Sequence, residues 1–312
     1  MKSILISNPV WGYENCQKFC EYSLKSLLFK KNLPELQKKY KVTLHILTKY
    51  SDHDFFKKNE IFKSLSRKIK TSFYFFNDSD FTSNKYHKIS SLQNLSINKS
   101  LNNDYIVFNY ADFIWSDGSL SNSIEILNKS NKKFLMFFVL PVHEEKAKIF
   151  LKKTKKNDSL TYSNFSVNNL HREAKLRFWN NKNFTLTPTF IFFGVKDEGL
   201  VINAYHQTIL AASTSNNNLL NKGIKGNSLD EYFSSKVAFD SYITNRDSNE
   251  IMVFALCDWP HDTAAVPKGF TREKAIKNCL RRINDSQRIL ARDAIKIKTV
   301  KRINQDKWSK VE

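Results

Sequence analysis

Apolar and polar positions along the chain fall into short runs with two different periods. Lys2–Ser7 (KSILIS) is a β-rich run, and Asn8-Pro9-Val10-Trp11-Gly12 breaks it with loop chemistry. Phe19, Tyr22, Leu24, Leu27 and Leu28 then recur at helical spacing, which predicts a helix from Glu14 to Leu28. Leu33-Pro34 opens a short helix or turn, Lys41–Thr48 (KVTLHILT) alternates as a second strand, and Asp54–Ser66 reads as a helix. Thr71–Phe76 (TSFYFF) is a third strand, and the Ser-, Asn- and Lys-rich stretch Asn77–Asn103 is read as partly helical. Tyr105–Asn109 (YIVFN) makes a fourth strand, Ser121–Lys129 a helix and Lys133–Leu140 a fifth strand.

Strands alternating with helices predict right-handed crossovers and a mainly parallel sheet. The apolar runs at Tyr105–Phe108 and Phe134–Leu140 are continuous, as in strands covered on both faces. Further on, Glu144–Lys155 and Val167–Phe178 read as helices. Phe190–Val195 and Leu200–Ala204 read as strands joined by the turn-like Lys196-Asp197-Glu198-Gly199. Leu229–Ser235 is a short helix, Ile251–Leu256 a last strand, and Thr271–Ala294 a basic helical stretch. The predicted fold class is α/β: a mainly parallel, Rossmann-like sheet flanked by helices. It divides into a domain over 1–267, with halves at 1–140 and 141–267, and a basic helical extension over 268–312.

Composition narrows the picture. The chain has 312 residues with 25 Phe and 12 Tyr, apolar area that disordered chains lack, and only 7 Gly and 6 Pro, few for an all-β sandwich. That length suits one large domain. The net charge is +20, which draws a protein to nucleic acid, acidic lipid or phosphorylated ligands. From Lys268 onward there are 14 Lys/Arg against 5 Asp/Glu, although a plain bias towards Lys and Asn would raise the general charge as well. Cys16, Cys20, Cys257 and Cys279 are too irregular for a zinc site and are read as reduced, buried thiols. With no signal-peptide pattern and no run of about 20 apolar residues, the expected location is the cytoplasm, with a peripheral position at the inner membrane face open to the basic tail.

Four places carry candidate chemistry. In open α/β sheets ligands bind outside the carboxyl ends of strands, so Asn8, Pro9, Trp11 and Gly12 after the first strand suit a nucleotide, as well as a turn with a packing Trp. No G-x-G-x-x-G or Walker pattern is present. After the second strand, Thr48 and Asp52 suit ribose or base recognition, or a polar surface loop. The fourth strand delivers Asn109 and Asp112, and Asp117 follows in a Ser-Asp-Gly turn; oxygen ligands at a strand terminus suit a hard divalent ion that bridges a diphosphate. In the second half, His206, Asp230 and Asp247 stand near strand ends or helix starts, where a base, a cap or a buried histidine would each fit. Cys257-Asp258-Trp259-Pro260-His261-Asp262 adds an acid–imidazole cluster without an assigned role.

The stretch Ile106-Val107-Phe108-Asn109-Tyr110-Ala111-Asp112, following the loop Asn8–Gly12, resembles the nucleotide-binding half of GT-A-fold glycosyltransferases. In that family an acid-containing strand-end motif, written DxD, holds metal and the sugar-nucleotide diphosphate. Here Asn109 replaces the first acid and the spacing is one longer, so Asp112 is the residue that the resemblance carries over, as metal ligand. Gly199–His206, Ser228–Tyr232 and Asp247–Glu250 are similar to segments of bacterial surface-polysaccharide glycosyltransferase-like proteins. The resemblance implies transfer of a sugar from a nucleotide-diphosphate donor to a glycan or lipid-linked acceptor, with Mn or Mg as the cation. Asp230, Asp247 and His206 compete for the base; without metal, Lys and Arg would stabilise the leaving diphosphate. The alternative is a basic nucleic-acid-binding protein using Arg281, Arg282, Arg288, Arg292, Lys296 and Lys298.

Overall fold

A computed structural model of the chain describes residues 1–81, 85–170, 177–179, 182–186, 190–215, 217–221, 229–236, 238, 240–257, 277 and 283–309. The first half winds one strand after another through helices. β1 (Ser3–Pro9) leads into α1 (Tyr13–Lys18), a π-helical turn (Phe19–Ser23), α2 (Leu24–Leu27) and α3 (Leu33–Lys39). β2 (Lys41–Lys49) is followed by α4 (His53–Lys58) and α5 (Glu60–Ser66), and β3 (Lys70–Phe76) by α6 (Lys85–Ser100). β4 (Tyr105–Phe108) and β5 (Phe113–Trp115) precede α7 (Ser119–Lys129).

The second half departs further from expectation. The predicted strand over 133–140 is two strands, β6 (Phe134–Phe137) and β7 (Leu140–His143), which belong to different sheets. α8 (Glu144–Lys153) is where the sequence put it. The next helix, α9, spans Ser159–Asn168, eight residues earlier than the expected 167–178, and its start is fixed by the Asp158 carboxylate accepting from Thr161 N. β8 (Arg177–Trp179), β9 (Lys182–Leu186), β10 (Phe190–Val195) and β11 (Gly199–Ala204) form an antiparallel run, and the hairpin predicted between the last two is present. Its turn needs Gly199: the residue has φ +137°, and a Cβ there would meet the Ile297 carbonyl oxygen at 1.9 Å. β12 (Thr208–Ser213), absent from the expectation, is followed by α10 (Asn218–Asn221), α11 (Leu229–Lys236), β13 (Tyr242–Thr244) and β14 (Val253–Cys257).

Beyond residue 282 a helical extension was expected. Instead α12 (Asp285–Arg292) gives way to β15 (Ile295–Lys298), which pairs with β11, and then to α13 (Gln305–Ser309). Trp308 is fully buried and donates from Nε1 to Glu198 at 3.0 Å; Asn304 N (2.7 Å) and Lys307 (2.9 Å) hold the same carboxylate. This end of the chain is therefore built into the body of the protein.

The main sheet has seven strands in the order β13-β6-β12-β4-β1-β2-β3, with β12 antiparallel to both neighbours and the remaining pairs parallel. Successive residues feed opposite faces: Ile4, Ile6, Tyr105 and Val107 join one core, and Leu5, Ile106 and Phe108 join the other. Both faces being covered explains the continuous apolar runs of the sequence. β15-β11-β10-β9-β8 and β5-β14-β7 form two smaller sheets. Among the described residues no helix is long and apolar enough to cross a membrane.

Candidate functional site

Strand order reverses between β1 and β4: β1, β2 and β3 step one way, and β4 returns to the other side of β1. Such a switch point leaves a crevice outside the carboxyl ends of the two strands. Tyr105–Phe108 lie inside the sheet, all buried, with β1 parallel on one side and β12 antiparallel on the other.

Beneath the crevice is a closed polar network. Asn109 Nδ2 donates to Asn8 Oδ1 (2.8 Å) and to Ser23 Oγ (3.1 Å), and Asn109 Oδ1 accepts from Trp115 Nε1 (2.8 Å). Asn8 Nδ2 donates to the carbonyls of Ile6 (2.8 Å) and His45 (3.3 Å). Both amides are fully buried and have every polar atom engaged, so the expected ligand-binding role for Asn8 and Asn109 is replaced by a scaffolding one. The π-helical turn serves the same network: it brings Ser23 Oγ beside Asn109 while that hydroxyl donates to Tyr110 O at 3.0 Å. Thr48 is likewise buried, with no oxygen or nitrogen partner and its hydroxyl against the Cys16 thiol, and Pro9 is buried within β1.

The rim is different. Asp52 Oδ2 accepts from Gly12 N at 2.7 Å, tying the loop after β1 to the turn after β2. Gly12 has φ 81°, and open space lies where its Cβ would be. Trp11 is half-buried, edge-on to Phe76 with centroids 5.8 Å apart. The Lys88 ammonium, from α6, sits 5.9 Å from the Trp11 ring centre and 6.0 Å from that of Phe76. Lys88 and Lys49 each contact Asp78 at 2.6 Å. Hydrogen bonds from Lys49 and then Lys88 hold the Asp78 carboxyl below its usual range, and the two ammoniums outnumber the one carboxylate that they share.

On the β4 side, Tyr110 and Asp112 are half-buried, and Gln93 Nε2 of α6 donates to the Tyr110 hydroxyl. Antiparallel pairing of β12 on β4 brings the chain before Thr208, including half-buried His206, to the carboxyl end of β4.

The two acids of the fourth-strand motif do not meet. Asp112 O accepts from Leu256 N, whereas Ser116 N donates to Met252 O. Four residues of extended strand separate these positions, about 13 Å at the usual rise. Asp117 Oδ1 instead accepts from Lys31 N at 2.7 Å and lines a separate cavity of about 590 Å³ with Glu35, Glu125 and Asp158. Asp247 is held by the Lys298 ammonium and by Asn249 N (2.9 Å), a turn-forming role at the junction with β15. Asp230 lies in α11 with its side chain outside the described residues, as are Asp258, His261, Asp262, Cys279, Arg281 and Arg282.

A divalent ion needs several oxygens at 2.0–2.6 Å. With Asn109 turned inward and Asp117 remote, the acid motif that the resemblance implied does not assemble around Asp112, and no group of three His, Cys, Asp or Glu able to hold a metal occurs among the described residues. Among the described residues, the side chains around Asp112 do not make up a metal–diphosphate centre; Asp258, His261 and Asp262 lie outside the described residues.

Sequence reasoning missed Lys49, Asp78 and Lys88. Lys88, Leu92 and Ser96 are buried at helical spacing on α6, but the segment is too polar to announce a covered face.

No family model matches the chain, and no curated protein matches it in sequence. Among solved structures, residues 1–349 of TarS from S. aureus are 14% identical with a TM-score of 0.34, over 46% of this chain and 36% of that one. The same piece in complex with UDP-GlcNAc gives 15% and 0.33, over 46% and 35%. The match thus spans about a third of that chain's length. A 4-diphosphocytidyl-2C-methyl-D-erythritol synthase from Anaerococcus prevotii is 10% identical with a TM-score of 0.38, over 90% of this chain and 96% of that one. The resemblance is to nucleotide-sugar and nucleotidyl transferase structures, at low identity and low TM-score. None of them assigns a residue or an activity to this chain.

Proposed function

We propose that the chain is a glycosyltransferase that binds a nucleotide sugar at the β1/β4 switch point and transfers its sugar to an acceptor hydroxyl in the synthesis of a surface glycan. The observation that carries this reading is the aromatic and cationic rim formed by Trp11, Lys49 and Lys88 beside the Gly12–Asp52 tie. Trp11 offers a face to the base, and Gly12 lets a ligand approach the backbone. Lys49 and Lys88 meet the negative charge that develops on the departing diphosphate, the role that a divalent ion fills in other designs. Asp112, at the crevice, takes the proton from the attacking hydroxyl, with His206 beside the same strand end as the second titratable group.

The test is a thermal-shift screen of UDP-, GDP-, CMP- and dTDP-sugars, each with manganese and with EDTA, because a ligand selective for the native state raises Tm. At least one sugar nucleotide raises Tm whether or not metal is present, and the shift shrinks in Trp11→Ala, Lys88→Ala and Asp112→Ala. No shift with any of them, or a shift that all three variants keep, removes the reading.

A further inference from the structure

Two of the most exposed aromatic side chains in the described protein stand together on the outer rim of this crevice. Tyr13 is 67% exposed and Tyr50 61% exposed. Tyr13 directly follows Gly12 and Tyr50 precedes Asp52 by two residues, so the Gly12–Asp52 hydrogen bond holds both within roughly 7 Å of chain from one point.

Both rings are braced from behind. Tyr50 stacks on Phe75 with centroids 5.1 Å apart and planes at 25°, and Phe75 stacks on Phe73 at 5.3 Å and 6°. His53 packs against both phenylalanines, at 4.5 and 5.4 Å. Tyr13 meets Phe55 edge-on at 5.5 Å, and Phe55 meets Phe56, which is buried. Column and wedge hold the two outer rings in place while leaving their outer faces to solvent. Exposed apolar surface fixed in this way marks a binding face, and Tyr adds a polar handle to a large apolar body at small entropic cost.

The charges beside the rings select the occupant. Glu14 is exposed next to Tyr13, the Asp54 side chain is 75% exposed and faces Lys57 at 3.9 Å, Asp52 follows Tyr50 by two residues, and Lys49 directly precedes Tyr50. Charges of both signs therefore flank the rings, and the phosphates of a nucleic-acid strand gain no net attraction from them. A neutral sugar ring places its C–H face on the tyrosine and donates its hydroxyls to the carboxylates. We propose that Tyr13 and Tyr50 are the acceptor platform: a neutral glycan stacks on them, with its reactive end directed towards the donor crevice. The role in transfer rests on the donor reading above; the binding itself does not.

Saturation-transfer difference NMR on the full chain, with maltohexaose, cellohexaose and chitohexaose as probes and oligothymidylate as the polyanion, tests this directly. At least one oligosaccharide receives saturation at its ring C–H protons. Its affinity falls at least about fivefold in Tyr13→Ala/Tyr50→Ala and is kept in Tyr13→Phe/Tyr50→Phe. Binding of none of the three sugars, binding that the alanine pair leaves unchanged, or loss of oligothymidylate binding in place of sugar binding overturns the proposal. The sugar-nucleotide thermal shift of the same alanine variant is unchanged, so a failed donor reading shows in that shift and a failed acceptor reading in the NMR experiment.

Discussion

Replacing Asn109 by alanine distinguishes a scaffold amide from a ligand-binding one. The change leaves Trp115 Nε1 without its acceptor and Asn8 Oδ1 without its donor, both in fully buried residues, while Ser23 Oγ keeps its bond to Tyr110 O. Each orphaned group costs about 1–3 kcal/mol, and with the small cavity left behind the loss is about 4 kcal/mol. At about 2.1 cal/mol/K per residue, unfolding of a chain this long carries an entropy near 0.65 kcal/mol/K at Tm, so Tm falls by about 6 °C. Calorimetry at neutral pH without ligand reads that drop. Adding Asn8→Ala provides a double-mutant cycle. Because one bond joins the two side chains, the double variant loses less than the two singles together, by about 1 kcal/mol. A Tm within about 1 °C of the parent, together with a lost sugar-nucleotide shift, would show that Asn109 serves a ligand and would refute the scaffold assignment.

Two further predictions concern buried titratable groups. His45, on β2 with Nδ1 2.9 Å from Ser72 Oγ, has its pKa lowered to about 4, first by burial and then by the charge of Lys99, against a partly compensating bond to the Ser72 backbone. The folded state therefore resists a proton that the unfolded chain accepts near pH 6.5. Stability is intact above that pH and falls by about 3 kcal/mol as pH drops towards 4. Urea titrations across that window show a flatter acid limb in His45→Gln, and an unchanged limb assigns the loss to other groups. The Cys16 thiol is pushed up to about 12 by burial, with the Asp52 charge adding and the Thr48 hydroxyl opposing, and burial likewise raises Cys20. In Cys257→Ser/Cys279→Ser both thiols consequently react with Ellman's reagent only at the rate of unfolding; rapid stoichiometric labelling of the folded protein would contradict the packing.

Most of the first half could be read from the sequence because its signals are local. β1, β2, β3 and β4 and the helices at 13–27, 53–66 and 119–129 follow from hydrophobic period and turn chemistry within about twenty residues. β12 escaped notice since Thr208–Ser213 (TILAAS) is short and gains its meaning from two non-local neighbours, β4 and β6. β15 escaped for a similar reason: Ile295–Lys298 (IKIK) alternates as an amphipathic strand should, but the basic composition around it suggested a solvated helix. In each case long-range pairing decided the element, and local propensity did not.

The site shows the same division more sharply. A polar residue at the carboxyl end of an apolar strand reads as a ligand contact, and Asn8, Asn109, Asp112 and Asp117 all satisfied that pattern. Burial and register divide them. Asn8 and Asn109 close a network in the core, Asp117 anchors the loop at Lys31 some 13 Å down the chain from Asp112, and Asp112 alone remains at the crevice. The charged half of the site was distributed over three segments: Lys49 at the end of β2, Asp78 after β3 and Lys88 on α6, which meet only because β2 and β3 are parallel neighbours with α6 laid over their ends. No spacing rule within one segment could have joined them. If Lys49 and Lys88 meet the charge of the diphosphate as proposed, charge neutralisation in this protein is a property of the sheet's topology, and the weakened acidic motif on β4 is its counterpart: with two ammoniums fixed at the rim, the fold does not require a second carboxylate at Asn109 and can use that position to lock the floor of the crevice.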